Sequence, residues 1–207
     1  RLVERLQQGE SIALVSDAGT PLLSDPGYRL VALAAAAGVE VVTVPGPSSI
    51  TAALSISGLP TDRFTFEGFL PSRHSARLKS LERLRDEPRT LVFFESSHRI
   101  RGSLADLADV FGARRPVAVC REMTKQFETV LRGSLEEVAD RVDSDPDQGK
   151  GEFVVVVGGN AEPPEDRMAD AMVLAKALLE FLPASQAARV AARLHGVSRR
   201  ELYSALG

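Results

Sequence analysis

Residues Ser16 to Gly27 read Ser-Asp-Ala-Gly-Thr-Pro-Leu-Leu-Ser-Asp-Pro-Gly and follow directly on an apolar run, Ile12 to Val15. A short apolar run that ends in turn chemistry reads as a strand entering a loop. In an open α/β sheet, loops leaving the carboxyl ends of strands form the binding crevice. Gly19 and Gly27 allow backbone N–H groups to approach a ligand closely. The loop therefore ranks first as a candidate site, with Asp17 its leading functional side chain. Its second half has a plainer reading: Asp25 as N-cap and Pro26 as first helical residue start a helix running to Ala37, which Gly38 stops. That reading leaves Asp17 to Thr20 without a role.

The pattern around this loop alternates strand and helix. A helix over Leu2 to Gln8 precedes a strand at Ser11 to Val15, then come the helix to Ala37, a strand at Val39 to Val44, and a helix at Ser49 to Ser57 closed by Gly58. Such alternation predicts a mostly parallel sheet. Between Pro60 and Pro71 an aromatic strand, Phe64-Thr-Phe-Glu-Gly-Phe, marks the passage to a second subdomain. That part reads as helix Ser75–Arg85, strand Thr90–Phe94, helix Arg99–Phe111, strands Pro116–Arg121 and Phe127–Leu131, helix Leu135–Val142 and strand Glu152–Val157, which together imply a mixed sheet. Ser134 and Glu137 have capping-box spacing. The expected organisation is an α/β remainder over residues 1–66, a second α/β domain over 67–160, and a helical tail over 161–207. In the tail, Ser185–Leu194, Gly196 and Ser198–Leu206 form a helix-turn-helix pattern, with Ser198 and Glu201 as a second capping box.

Composition bounds the class. With 207 residues, 44% hydrophobic and 26% charged, the chain can bury a core of ordinary globular size. Its formal net charge of -3 provides no uniform attraction to nucleic acid, so any such contact needs local basic patches. No apolar stretch is long enough to cross a bilayer and no signal-peptide pattern opens the chain, which predicts a cytoplasmic protein. The single cysteine, Cys120, lies in an apolar run and reads as a buried, inert thiol. One cysteine and three scattered histidines offer no metal-ligand cluster, so no metal site is expected.

Four further motifs follow the opening loop: Val44-Pro-Gly-Pro-Ser-Ser, Phe64 to Pro71, Phe94-Glu-Ser-Ser-His-Arg, and Arg121-Glu-Met-Thr-Lys-Gln-Phe-Glu. Gly151-Glu152-Phe153 then leads into a valine-rich strand. In this order and spacing, across about residues 9 to 159, they resemble the ribosomal RNA small subunit methyltransferase I group of the tetrapyrrole-methylase superfamily. The resemblance implies two α/β subdomains with a cofactor cleft between them, a homodimer, and S-adenosyl-L-methionine as cofactor. The implied reaction is 2′-O-methylation of a cytidine ribose in 16S ribosomal RNA at the decoding centre, on free RNA or the small ribosomal subunit. It further implies that Asp17, Ala18, Gly19, Thr20 and Pro21, with Ser48 and Ser49, bind the cofactor. Members of the group begin with a strand ending in a Pro-Ile-Gly-Asn-Leu-like turn and a long segment after it. This chain has neither, and the N-terminal part of the first subdomain is expected to be missing from it.

Methyl transfer from a sulfonium to a ribose hydroxyl is an in-line displacement, so alignment of the acceptor supplies much of the rate. Glu95, His98, Arg99, Arg121, Glu122 and Lys125 fall at predicted strand ends. Glu122 and Lys125 are the candidates beside the acceptor oxygen, and Arg99 and Arg121 the candidates for phosphate, whose geometry a guanidinium fork matches. The same residues also fit local ion pairs, Glu95 with Arg99 and Arg121 with Glu122. Arg73, Arg77 and Lys79 belong to the most basic segment and are candidate RNA contacts, as are Arg199 and Arg200 in the tail. Two other readings stay open: a small-molecule, tetrapyrrole-type acceptor on the same fold, and a catalytically silent RNA-binding module.

Overall fold

The computed structural model describes residues 1–161 and 164–206, with the side chains of 164–166 left aside. Two compact units result: one built from Arg1–Arg85 and Arg89–Gly158, the other from Asp86–Pro88 and the residues from Gly159 onward.

The first unit carries a five-stranded sheet made of β1 (Phe64–Phe69), β2 (Thr90–Ser96), β3 (Pro116–Arg121), β4 (Thr129–Ser134) and β5 (Glu152–Val157), in the order β1-β2-β5-β3-β4. β1 pairs parallel with β2, and every other pairing is antiparallel, which is the mixed sheet expected for this part of the chain. Helices α1 (Leu2–Gln7), α2 (Tyr28–Ala36) and α3 (Ser49–Ser57) precede the sheet; α4 (His74–Glu82), α5 (Ile100–Phe111) and α6 (Leu135–Ser144) lie between its strands.

The alternation of strand side chains assigns each residue to a face. Odd-numbered Leu91, Phe93, Val117, Val119, Val155 and Val157 join Ile100, Leu104, Leu107 and Leu135 in the larger core. Even-numbered Val92, Ala118, Cys120, Val154 and Val156 meet Ile50, Ala53 and Leu54 of α3 on the other side. Each fully buried large side chain is worth about 1.5–3 kcal/mol over exposure, so two-sided burial makes β2, β3 and β5 the stable centre of the unit. Burial also pushes the Cys120 thiol up to about 11, which keeps it protonated and unreactive at neutral pH. Ser134 caps α6 with the full reciprocal box to Glu137, and Gly58 ends α3 in the left-handed conformation at φ 77°.

Three expectations are corrected. Residues 11–15 and 39–44 form no strand: their backbone finds no ladder partner, and Val15 and Val44 are 81% and 88% exposed. An apolar run has the propensity for a strand, but the ladder that defines one needs a neighbour. Helix α2 begins at Tyr28 with Gly27 as its N-cap, at φ 133°, so Asp25 does not cap it; the Asp25 carboxylate instead accepts the Ser16 hydroxyl. β4 starts at Thr129, opposite Arg121, because residues 122–128 are taken up by the turn that joins the two strands.

In the second unit α7 (Pro164–Leu178), α8 (Ala184–His195) and α9 (Arg199–Leu206) pack through Ala171, Ala175, Ala191, Ala192 and Leu202. Alanines at these positions let the helix backbones approach closely. Gly196 turns the chain at φ 66°, and the Ser198 hydroxyl accepts the Glu201 N–H at 3.4 Å, giving the helix-turn-helix read from the sequence. Among the described residues no helix is long and apolar enough to cross a membrane.

Arg77 on α4 and Asp106 on α5 form a buried pair, Nε to Oδ2 2.5 Å, with side chains only 8% and 10% exposed. Removing one partner strands a charge in the core. Asp106→Ala should therefore lower unfolding stability in urea by about 3 kcal/mol or more, and the double variant Arg77→Met with Asp106→Leu should lose less than the single one.

Candidate active site

Because β2 and β3 are each antiparallel to β5, and β1 is parallel to β2, the carboxyl ends of β1, β2 and β3 lie on one edge of the sheet, together with the start of β5. Open α/β sheets bind ligands on this edge. The loop 16–27 reaches it: a Cβ added to Gly68 in β1 would lie 3.4 Å from Ser24 Oγ. Leu22 and Ser24 both adopt positive φ, 74° and 63°, a conformation that costs a non-glycine residue energy and that gathers at functional sites. The Thr20 hydroxyl donates to the Pro47 carbonyl at 2.9 Å. That bond joins the opening loop to the Pro-Gly-Pro turn, beside Ser48 and Ser49. Asp17 is exposed and makes no hydrogen bond or ion pair with the described residues. Ser48 is the N-cap residue of α3, yet its hydroxyl makes no capping bond.

The turn 122–128 stands on the same edge. Arg121 Nε donates to the Lys150 carbonyl at 2.6 Å and its Nη1 to the Phe127 carbonyl at 2.9 Å. Glu122, at φ 49°, accepts at Oε1 both the Glu152 N–H (2.9 Å) and Lys125 Nζ (2.9 Å). Lys125 Nζ also donates to Glu152 Oε2 at 2.8 Å. The Glu122 side chain lies over Gly151, where an added Cβ would come within 2.5 Å of its Cγ; only glycine fits there.

The bond from the Glu152 amide, followed by that from Lys125, holds the Glu122 carboxyl below the ordinary glutamate range. Hydrogen bonds to Glu152 and then Glu122 raise Lys125 above the ordinary lysine range. At neutral pH the two are therefore a carboxylate and an ammonium. Glu122 Oε2 accepts no hydrogen bond from the described residues.

The cations expected on phosphate are otherwise engaged. Arg99 pairs with buried Glu95 at 2.8 Å and donates to the Leu70 carbonyl at 3.0 Å, which is the local ion pair read as the alternative. Its guanidinium also lies over Phe69, 5.7 Å from the ring centroid. The alternative Arg121–Glu122 pair does not form: Arg121 serves backbone carbonyls and Glu122 takes Lys125. Arg77 is a correction among the RNA contacts, since its side chain is buried against Asp106 and presents no surface cation. Arg73 and Lys79 are exposed. In the second unit, exposed Arg199 and Arg200 line a recess of about 380 Å³ with Ser185, Tyr203 and Ser204.

In the sequence Gly151-Glu152-Phe153 carries part of the family resemblance but no chemical role for Gly151 or Glu152. Their signal is a glycine followed by a carboxylate that opens the apolar strand at the sheet edge.

An α/β sheet with ligand loops on its carboxyl edge defines the class, and residues 1–139 match the family described as Tetrapyrrole (Corrin/Porphyrin) Methylases. Residues 165–206 match the RsmI C-terminal HTH domain. The chain is 53% identical over 203 residues to a ribosomal RNA small subunit methyltransferase I from Xylella fastidiosa (strain Temecula1), covering 98% of this chain and 74% of that protein. It is 48% identical over 205 residues to the protein of the same name from Pseudomonas aeruginosa, covering 98% and 73%. Among solved structures, the methyltransferase CobJ superposes with a TM-score of 0.56 at 21% identity, covering 77% of this chain and 69% of that one, which shows the fold. The chain belongs to the ribosomal RNA small subunit methyltransferase I family of tetrapyrrole methylases.

Methyltransferases of this family use S-adenosyl-L-methionine, and the residues present suit it. An unpaired carboxylate at Asp17, an unused hydroxyl at Ser48 and the open first turn of α3 match ribose hydroxyls and a zwitterionic methionine end. Neither needs the glycine-rich cradle a phosphate would require.

The Glu122 shift carries a pH sign. A carboxyl held low adds stability that is present above the ordinary value, about 4.3, and is lost as pH falls through its lower folded value. Carboxyl NMR should find the Glu122 midpoint below the ordinary range, and Lys125→Met should raise it only part of the way, since the Glu152 amide remains. An ordinary midpoint in the unaltered protein would contradict the bonding described.

Proposed function

We propose that this protein transfers a methyl group from S-adenosyl-L-methionine to the ribose 2′-hydroxyl of a cytidine in 16S ribosomal RNA at the decoding centre. The observation that carries this reading is the meeting of the Asp17–Pro21 loop and the Ser48–Ser49 turn, through the Thr20–Pro47 bond, on the sheet edge that also holds the Glu122 turn. The names of the relatives supply the RNA class.

The bound cofactor supplies an electrophilic methyl on a sulfonium. Asp17, Ser48 and Ser49 would hold it, with Ala18, Gly19, Thr20 and Pro21 shaping the backbone around it. Transfer of that methyl to the ribose hydroxyl would require the hydroxyl proton to leave. Glu122 Oε2 is the open acceptor aimed at that role, and Lys125 positions it by occupying Oε1. A carboxylate with a low proton affinity is a weak base, which suffices when alignment supplies most of the rate.

Arg73 at the N-cap of α4 and Lys79 on that helix, with Arg199 and Arg200 on α9, provide surface cations for the RNA backbone. In this reading residues 1–66 are the remainder of the cofactor-binding α/β domain and 67–160 the second α/β domain, with the cofactor in the cleft between them, and 161–207 form the helical tail. The protein works in the cytoplasm, where ribosomal subunits are assembled, and does so as a homodimer.

Small ribosomal subunits incubated with the protein and methyl-tritiated cofactor test the reading. A 2′-O-methyl ribose blocks the internal nucleophile of alkaline cleavage, so the label should emerge in an alkali-resistant dinucleotide. Label in a base, or transfer only to a tetrapyrrole, would contradict it. In calorimetry, Asp17→Ala should weaken cofactor binding by about tenfold, as for a lost charge-assisted hydrogen bond.

A further inference from the structure

The turn that carries Glu122 and Lys125 also holds an aromatic ring out in water. Phe127 is 63% exposed and has no ring or cation partner among the described residues. A ring in that position is normally free to fold back, but this one sits on a braced backbone. Arg121, itself buried, holds the Phe127 carbonyl at 2.9 Å. Glu128 accepts the Thr124 N–H at 2.6 Å, and Lys125 ties the turn to Glu152 at 2.8 Å. Two non-glycine residues, Glu122 and Thr124, are kept at positive φ, 49° and 66°. Strain of this kind persists only where the surroundings over-determine it.

The turn's one cation is already engaged: the Lys125 ammonium meets the Glu122 carboxylate and that of Glu152 on β5, while Glu128 accepts the Thr124 amide. It therefore offers a phosphate little. What it presents to solvent is an exposed aromatic ring, on the edge where this reading puts the acceptor ribose. A nucleotide whose 2′-hydroxyl is to be aligned for displacement must be held out of its own stack, and aromatic rings hold splayed bases by stacking.

We propose that Phe127 is the ring on which a base of the RNA substrate stacks, next to or at the methylated nucleotide. This rests on the reading of the protein as a ribosomal RNA methyltransferase. The chain contains no tryptophan and two tyrosines, so Phe127→Trp installs the protein's single indole, which can be excited apart from the tyrosines. Saturating small ribosomal subunits should quench the emission of that indole, whereas cofactor alone should not. Phe64→Trp, at a ring 41% exposed at the start of β1 on the opposite edge of the sheet, should respond to neither. Phe127→Ala should raise KM for the subunit about tenfold, the scale of one lost stacking contact, with cofactor affinity unchanged, and Phe127→Trp should restore it.

Unquenched emission from the Phe127→Trp variant at saturating substrate, or an unmoved KM in Phe127→Ala, overturns the proposal while methyl transfer by the unaltered protein stands. Quenching by cofactor alone assigns the ring to the cofactor and overturns it too. So does a blue shift that grows with protein concentration in the absence of RNA, which would place the ring between two copies of the chain. Failure of the unaltered protein to methylate ribosomal RNA would sink the functional reading first and this proposal with it.

Discussion

Strand β5 is hydrogen-bonded on both sides, to β2 and to β3, and antiparallel to each. Its valines are buried on both faces, Val155 and Val157 in one core and Val154 and Val156 in the other. This double constraint has a directional consequence. Two strands antiparallel to a shared neighbour must run parallel to each other, so Ser96 and Arg121 end on the same edge and Glu152 begins there. Without β5 in that place the turn after β3 and the loops beside β1 would have no common edge to stand on. The stability of the apolar centre and the assembly of the site are one arrangement.

Three shielded arginines join parts of the chain that lie far apart in sequence. Arg77 neutralises Asp106 in the core, Arg99 joins Glu95 to the Leu70 carbonyl, and Arg121 ties the chain at Phe127 to the chain at Lys150. Guanidinium groups suit this work because their donors fan out in a rigid plane and reach several acceptors at once. The loops on the carboxyl edge thus gain fixed shapes without a regular hydrogen-bonded ladder. Glycines complete them where space or φ demands it, most plainly Gly151 beneath Glu122.

Much of this was legible in the chain because it depends on local chemistry. The helices from Ser49 onward, the Ser134 box, the Gly196 turn and the valine-rich strand carry their signals within a few residues. The meeting of Asp17–Pro21 with Ser48–Ser49 was legible only through the resemblance of ordered motifs, since nothing in the spacing announces the Thr20–Pro47 bond. What stayed hidden has partners distant in sequence. Arg77 looked like one more cation in a basic helix, and only α5 reveals Asp106 waiting for it. Glu122 sits beside Arg121 in the chain, yet the turn delivers Lys125 and the Glu152 amide to it. Residues 11–15 and 39–44 have strand composition without a neighbour to pair with, a fact no window of sequence contains.

Amide chemical-shift mapping during titration with S-adenosyl-L-methionine distinguishes the carboxyl edge of the sheet from the rest of the molecule as the cofactor site. Binding there should give saturable shifts centred on residues 17–21 and 48–49, extending to Gly68 and the Glu122 turn, with Thr90 and Ser134 at the opposite edge unmoved. Shifts concentrated around Thr90 and Ser134, or no saturable shift at all, would contradict it.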